Sequence, residues 1–507
     1  MTRDAAKILE EAMAAHRLGD ETAAAAGYRA VLALQADNAD ALHLLGIITA
    51  RSAPEEGIAL IERALAVNPD SFEAHLNLAN TLAKRLRMTE AELHFRAAHK
   101  LNPTSITAIN GLGGALLHLG RYAQAEPFLR EGLSRDTKSA PALLNMAMLM
   151  DATDRVDQGL QFYDRLFAVH PDHAEGHYHQ SLALLLREQF AQGWAKHGWR
   201  VKCVPTLHGQ FKLPYWRGEA LTGRKILVWT EMGPGDEILV GTMIPDLLAA
   251  GARVVLVCSP RMAPLFARTF PFVDVIAAGQ TPRDRAILDG IELQASVAEL
   301  GAVLRPSSSA FRGATPLLAQ ADRTADLRRR YKVVAGDNLL VGLSWRSKNS
   351  LLEDAKSVPL REWAPILMCP GVTFVSLQYG DVAMEVAEVK RELGIDVIVD
   401  VEINPLNSLD DFAAQVAAMD RVVSVSNTTA HMGGALGRPV SVLIPSNHGR
   451  IWYWFLERND SPWYPGVRLF RQHPVRGWPP VIAAIADDLA RDSSDARARL
   501  RIQSPAF

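Results

Sequence analysis

The chain has little cysteine. Its three cysteines, Cys203, Cys258 and Cys369, stand far apart, and none belongs to a CxxC pair. That excludes a disulfide framework and a thiolate zinc centre as organising principles, and it fits a reducing compartment. Long apolar runs are missing too: no stretch reaches the roughly 18 uncharged residues that a spanning helix needs. The opening residues MTRDAAKILEEAM carry acids early and lack an apolar segment, so no secretory signal is expected. Net charge is almost absent. Lys and Arg number 54 against 56 Asp and Glu, a formal charge of -2 that offers no bulk attraction to nucleic acid or to an anionic membrane. These absences predict a cytoplasmic protein with no bound metal, no nucleic-acid partner and no transmembrane segment.

What is present first is a repeat. Helix-ending signals recur at Asn68-Pro69-Asp70, Asn102-Pro103 and His170-Pro171-Asp172. The step from Pro69 to Pro103 is 34 residues, and the step to Pro171 is twice that. Small residues recur at Ala24, Gly57, Ala91, Ala125 and Gly159. A large apolar residue follows four later at Tyr28, Ile61, Phe95, Leu129 and Tyr163. This pattern resembles the tetratricopeptide (TPR) family, with repeats at 5–38, 39–71, 72–105, 106–139 and 140–173 and a degenerate sixth from 174 to about 200. Each unit should be two antiparallel helices. The small residue permits close approach, the bulky one fills the gap to the next unit, and proline stops the second helix. Such solenoids expose a concave face suited to a peptide or protein segment. Asn77, Asn80, Asn110 and Asn145 are its candidate backbone-binding amides.

After residue 200 the period changes. Residues 201–223 read as a connector without helical period. Buried-strand runs then alternate with helical stretches: Lys225–Thr230, Arg253–Ser259 and Phe272–Ala277, with a helix expected over Pro234–Ala250. The alternation restarts at Leu339–Trp345 and continues through Val372–Leu377, Asp396–Val401, Arg421–Ser426 and Val440–Ile444, with a final helix over Pro480–Arg491. Such alternation predicts parallel sheets. The charged stretch Ala321–Asp337 divides the two series. The expected organisation is a repeat array over 1–200, a connector over 201–223, Rossmann-like lobes over 224–330 and 331–493, and a tail over 494–507.

Four segments at predicted strand ends carry candidate chemistry, because ligands of open α/β sheets bind beyond the carboxyl ends of strands. In the first, Gly233 and Gly235 let backbone approach a ligand at a helix N-terminus, and Asp236 is a candidate general base or a helix cap. The second, Ser344–Asn349 with Lys356 downstream, gathers Arg346, Lys348 and Lys356 beside Trp345, positive charge suited to a diphosphate leaving group. In the third, Ser424–Gly434, hydroxyl and amide residues precede a small-residue helix. Asn427, Thr428, Thr429 and His431 are its candidate phosphate-side residues. The fourth contains Asn447 and His448, then Trp452, Trp454 and Asp460–Pro465, a loop composition compatible with sugar contact or with plain packing.

At these residues the chain resembles the TPR-linked members of the heptosyltransferase-like, family 9 group of glycosyltransferases, over about Trp216 to Leu489. The likeness is carried by Gly233–Asp236, Ser344–Arg346 with Lys356–Leu360, Phe374–Gln378, Ser424–Gly434 with Ala435–Pro439, and Asp460–Pro465 with Leu469–Gln472. The layout is also similar to protein O-GlcNAc transferases and bacterial flagellin glycosyltransferases. The resemblance implies a GT-B fold and an inverting, metal-independent transfer from a nucleotide-diphosphate sugar, with no other cofactor. It implies Asp236 as base, with Glu237 beside it as the alternative. Lys356 would lie by the donor phosphates, Thr428 and Thr429 in the phosphate-binding turn, and Gln378 at the nucleoside. Many relatives have Asp-Thr where this chain has Ser426-Asn427, a difference that bears on the sugar. The expected function is glycosylation of a protein acceptor held by the repeats, flagellin being one candidate. The alternatives are a lipid- or polysaccharide-directed transferase with the repeats as scaffold, and a catalytically inactive adaptor.

Overall fold

The structure is a computed structural model. It describes residues 3–203, 211–230, 233–279, 288–347, 353–446 and 449–503. The chain divides into two compact units, Met1–Gly176 and His177–Phe507.

The first unit is a stack of antiparallel helix pairs: Arg3–Arg17 with Glu21–Leu34, Ala39–Thr49 with Pro54–Val67, Phe72–Lys84 with Met88–Leu101, Ile106–His118 with Tyr122–Arg135, and Ala140–Ala152 with Val156–Val169. The sequence explains the stops and starts. Asn68 and Asn102 end second helices, with a proline next in the chain. Ser71 and Ser105 then accept hydrogen bonds from the free N–H groups of Ala74 and Ala108 and open the next helix. Ala24, Ala91 and Ala125 are fully buried, as are Tyr28, Ile61, Leu129 and Tyr163. A side chain on Gly113 would lie 2.6 Å from Leu129, so the small residue sets the helix separation. The helical tetratricopeptide solenoid expected from the 34-residue period is therefore present.

The sixth pair, Ala174–Leu186 and Phe190–His197, keeps the helical form. The boundary between the two units nevertheless falls after Gly176, so the rest of this pair belongs with the second unit. Phe190 and Trp194 are buried in the same apolar core as the strands that follow.

The second unit holds two parallel sheets. Among the described residues the first has four strands, β1 (Lys225–Trp229), β2 (Arg253–Cys258), β3 (Asp274–Ala277) and β4 (Ile291–Ala295), in the order β3-β2-β1-β4. The second has six: β5 (Leu339–Ser344), β6 (Val372–Ser376), β7 (Val397–Ile398), β8 (Arg421–Val425), β9 (Val440–Ile444) and β10 (Val467–Arg471), in the order β10-β9-β8-β5-β6-β7. Every pairing among these ten strands is parallel. Helices cover their faces, which is why the strands read as near-continuous apolar runs. One apolar core runs from Ile226 and Val228 in the first sheet to Leu340, Val422 and Val442 in the second.

One expectation is corrected, and some elements are new. The helix expected over Pro234–Ala250 is two helices, Pro234–Gly241 and Ile244–Ala249, with Pro245 in the first turn of the second, where its missing N–H is tolerated. The charged stretch does stand between the two series, as the helix Ala321–Ala335, which buries Leu327 and Tyr331 in the core of the second unit. Strands β4 and β10 were not anticipated: charged residues interrupt Ile291–Ala295 (IELQA) and Val467–Arg471 (VRLFR).

Candidate functional site

Each sheet reverses its winding direction at one place. In the first sheet this is between β1 and β4, and in the second between β5 and β8. Such switch points open a crevice at the carboxyl ends of the strands. The two crevices abut. A side chain on Gly235, just after β1, would lie 3.1 Å from Cδ2 of His431, just after β8.

From β1 the chain reaches Gly233, whose φ of 154° favours glycine, and then enters the helix at Pro234. Asp236 therefore occupies the first helical turn, where the dipole favours negative charge. It is partly buried and lines a small cavity of about 30 Å³ with Tyr178, His197, Arg200, Val240, Val297 and Trp452. Loss of hydration raises its carboxyl to about 7, against the opposing charges of Lys356 and Arg200. Glu237, one residue on, points elsewhere. Its carboxylate accepts the Ser259 hydroxyl at 3.0 Å and the Ser259 N–H at 3.2 Å. It ties the helix to the end of β2 and is corrected here from candidate base to brace.

Lys356 is 5% exposed at the end of the short helix Glu353–Lys356. A β-carbon on Gly449 would lie 2.9 Å from the lysine Cγ, so the glycine leaves room for the stem. Burial lowers the ammonium to about 8, while Asp236 pulls it upward. His431 is 1% exposed. Its ring stands edge-on to Tyr453, 4.6 Å between centroids, and tilts over Trp454 at 4.9 Å. Nδ1 and the Tyr464 hydroxyl share a hydrogen bond of 3.0 Å. Nε2 has no partner among the described residues. Burial, with help from the Lys356 charge, lowers the imidazole to about 3, so it is neutral at physiological pH.

The remaining expected residues divide. Gln378 Oε1 accepts the N–H groups of Trp345 and Arg346 at 2.9 and 2.8 Å and so caps the end of β5. Asn427 accepts from Thr429 N–H and the Ser424 hydroxyl, both at 2.9 Å, and donates to Ser344 Oγ at 2.8 Å and the Arg346 carbonyl at 3.0 Å. These two amides shape the crevice between β5 and β8, and their hydrogen bonds go to the protein itself. Arg346 donates to the Asp381 carbonyl at 2.7 Å and pairs with Glu385 at 3.2 Å. Trp345 is a correction: it is fully buried, with its indole N–H donating to Glu385 at 2.9 Å, and belongs to the core behind the sheet. Thr428 and Thr429 open the helix Thr428–Ala435, Thr428 partly exposed and Thr429 buried. Lys348, Asn447 and His448 lie outside the described residues.

Sequence reasoning missed Tyr178, His197 and Arg200. They sit on helices read as the fading end of the repeat array, and no spacing tied them to Asp236. In the first unit, Asn80, Asn110 and Asn145 line one hollow of about 470 Å³ with Phe95, Gly111 and Gly114. Asn77 instead bonds His43 Nε2 at 3.0 Å.

Comparison with known proteins agrees with this division. Family models described as tetratricopeptide repeat match residues 50–106 and 116–185. Protein FlbA of Caulobacter vibrioides is 30% identical over 499 residues, covering 94% of this chain and 83% of that protein. BBSome complex member bbs-4 of Caenorhabditis elegans is 23% identical over 176 residues, 34% of this chain and 38% of that protein. Among solved structures, YrrB, described as a TPR protein with an unusual peptide-binding site, aligns at 20% identity with a TM-score of 0.32. It covers 34% of this chain and 91% of its own. The match to FlbA runs through both the repeats and the paired sheets. The chain belongs to the family of Protein FlbA, as a tetratricopeptide solenoid followed by a region of parallel sheets and helices.

Proposed function

We propose that the C-terminal unit is a GT-B glycosyltransferase that moves a sugar, with inversion and without a metal, from a nucleotide-diphosphate donor to a protein acceptor recruited by the repeats. What carries this reading is the meeting of two switch points that brings Asp236, Lys356 and His431 into one neighbourhood. Asp236, near neutrality, is suited to take the proton of an acceptor hydroxyl. The hydroxyl oxygen then bonds the anomeric carbon from the face opposite the diphosphate. The bond from that carbon to the diphosphate oxygen breaks, and the electron pair leaves with the diphosphate. Lys356 is suited to meet the growing negative charge. Neutral His431 can offer or accept one hydrogen bond through Nε2, which no described group occupies. The hollow beside Asn80, Asn110 and Asn145 suits a peptide segment.

The test is to incubate the purified full chain with a panel of nucleotide-diphosphate sugars and candidate protein acceptors, bacterial flagellin among them. An intact-mass increase of one sugar is expected. Asp236→Asn should abolish it while donor binding persists, and Lys356→Ala should weaken nucleotide-diphosphate binding at least about tenfold. No mass shift with any acceptor counts against the reading.

A second reading, a non-enzymatic adaptor, draws on one observation. The cavity beside Asp236 is about 30 Å³, roughly the space of a water molecule, so a sugar ring enters only if a wall such as Trp452 moves. Calorimetry showing no nucleotide-diphosphate binding would favour this adaptor.

A further inference from the structure

The cavity at Asp236 has a wall that the strand-end motifs do not supply. Tyr178 comes from the helix Ala174–Leu186, His197 from Phe190–His197 and Arg200 from Arg200–Cys203. These are the last helices before the sheets, and they close the base off from solvent on that side. Arg200 is 1% exposed. Among its contacts, one guanidinium nitrogen donates to Ser296 Oγ at 2.9 Å and another to the His197 carbonyl at 3.3 Å. Ser296 in turn caps the helix Val297–Leu304, with Glu299 completing the capping box. A cation anchored this way does not reorganise when charge moves nearby.

Resting on the reading of Asp236 as base, we propose that Arg200 is a positioning residue for that base. Both residues line one water-sized cavity, and there the fixed guanidinium charge favours the ionised carboxylate, so that the acceptor hydroxyl enters between the base and Tyr178. The size of the cavity supports this, because a space of about 30 Å³ admits a hydroxyl group or a water and excludes a ring. The electrostatics point the same way. Asp236 is faced by Lys356 and Arg200, which favour its charge, and by Glu237 on its own helix, which opposes it. Burial raises the phenols of Tyr178, Tyr453 and Tyr464, and the charge of Asp236 adds to it. Burial lowers the Arg200 guanidinium, opposed by Glu299, Tyr178, Tyr215 and, least of these, Asp236.

The experiment uses the full chain with two readouts. The first needs no substrate. The melting temperatures with and without Asp236→Asn are compared across pH, and the upper bend of their difference, above which it is constant, reports the titration of Asp236 in the fold. In the Arg200→Met background this bend should move upward by about one pH unit. An unmoved bend overturns the proposal. The second readout is turnover of whichever nucleotide sugar the parent uses. Arg200→Lys, which keeps the charge and loses the two-point hold, should lower kcat about tenfold with the donor KM unchanged. An unchanged kcat overturns the proposal, and this variant decides the matter if Arg200→Met does not fold. If the parent turns over no nucleotide sugar, the transferase reading fails, and the upper bend of the melting difference still reports whether Arg200 governs Asp236.

Discussion

Asp236 and Lys356 are held by burial at acidities close to each other and close to neutral. If Asp236 is the base and Lys356 meets the diphosphate, as proposed, the first must be ionised and the second protonated. The plot of kcat/KM against pH should therefore be a narrow bell, rising through about 7 and falling through about 8. A profile flat from pH 6 to 9 would remove both residues from the rate. The same burial has a cost in stability, and its sign is fixed. The Asp236 carboxyl moves from 3.8 in the unfolded chain to about 7 in the fold, so the native state holds its proton more tightly. Stability is lost as pH climbs between those values and is not regained above them. Asp236→Asn should raise the melting temperature at pH 8, by about 2–4 °C for each kcal/mol relieved, and change it little at pH 4. Equal melting temperatures at pH 8 would mean that the carboxylate is well hydrated. Function and stability then pull in opposite directions at this residue, as expected of a group kept for its chemistry.

Among elements, the turns between paired helices carry the clearest strain. Leu86, Gly120, Asp154 and Glu188 recur every 34 residues, and all have positive φ: 61°, 70°, 61° and 59°. Only one of the four is glycine. A left-handed conformation costs a non-glycine residue about 1–2 kcal/mol, partly offset by the entropy that glycine loses on folding. Leu86 is 53% exposed, so its side chain contributes little packing. Leu86→Gly should thus stabilise the array by about 0.5–1 kcal/mol, read as a higher midpoint in urea followed by helical circular dichroism. A lower midpoint would show that the leucine packs better than its exposure suggests. The turn at Glu188 also shows that the repeat geometry persists into the sixth pair, although that pair's core lies with the sheets.

For the molecule as a whole, the division after Gly176 leaves a first unit whose apolar clusters are built from its own helices, Leu9 to Leu45 and Ile58 to Leu166. A fragment of residues 1–173 should therefore fold by itself, with strong helical circular dichroism and a broad melt, since each repeat is stabilised mainly by its neighbours. A fragment with the spectrum of a random coil would overturn this. If the repeats recruit the acceptor, a chain lacking 1–173 should still transfer to a small free acceptor and lose transfer to protein.

The amino-acid pattern by itself determined everything that repeats or alternates: the 34-residue period, the small and large residues between paired helices, and the apolar strand runs. These are local consequences of 3.6-residue and two-residue periodicity. It also marked Asp236, Lys356 and His431 as residues of interest, because each follows a strand end. Only the tertiary structure decided which neighbours do different work. Glu237 turns to Ser259, Trp345 turns into the core, and Gln378 and Asn427 bind their own backbone, because successive residues on a helix or strand point in different directions toward partners distant in sequence. Tertiary structure also brought Tyr178 and Arg200 to Asp236. No period links positions so far apart, and their meeting follows from how the last helices close against the first sheet.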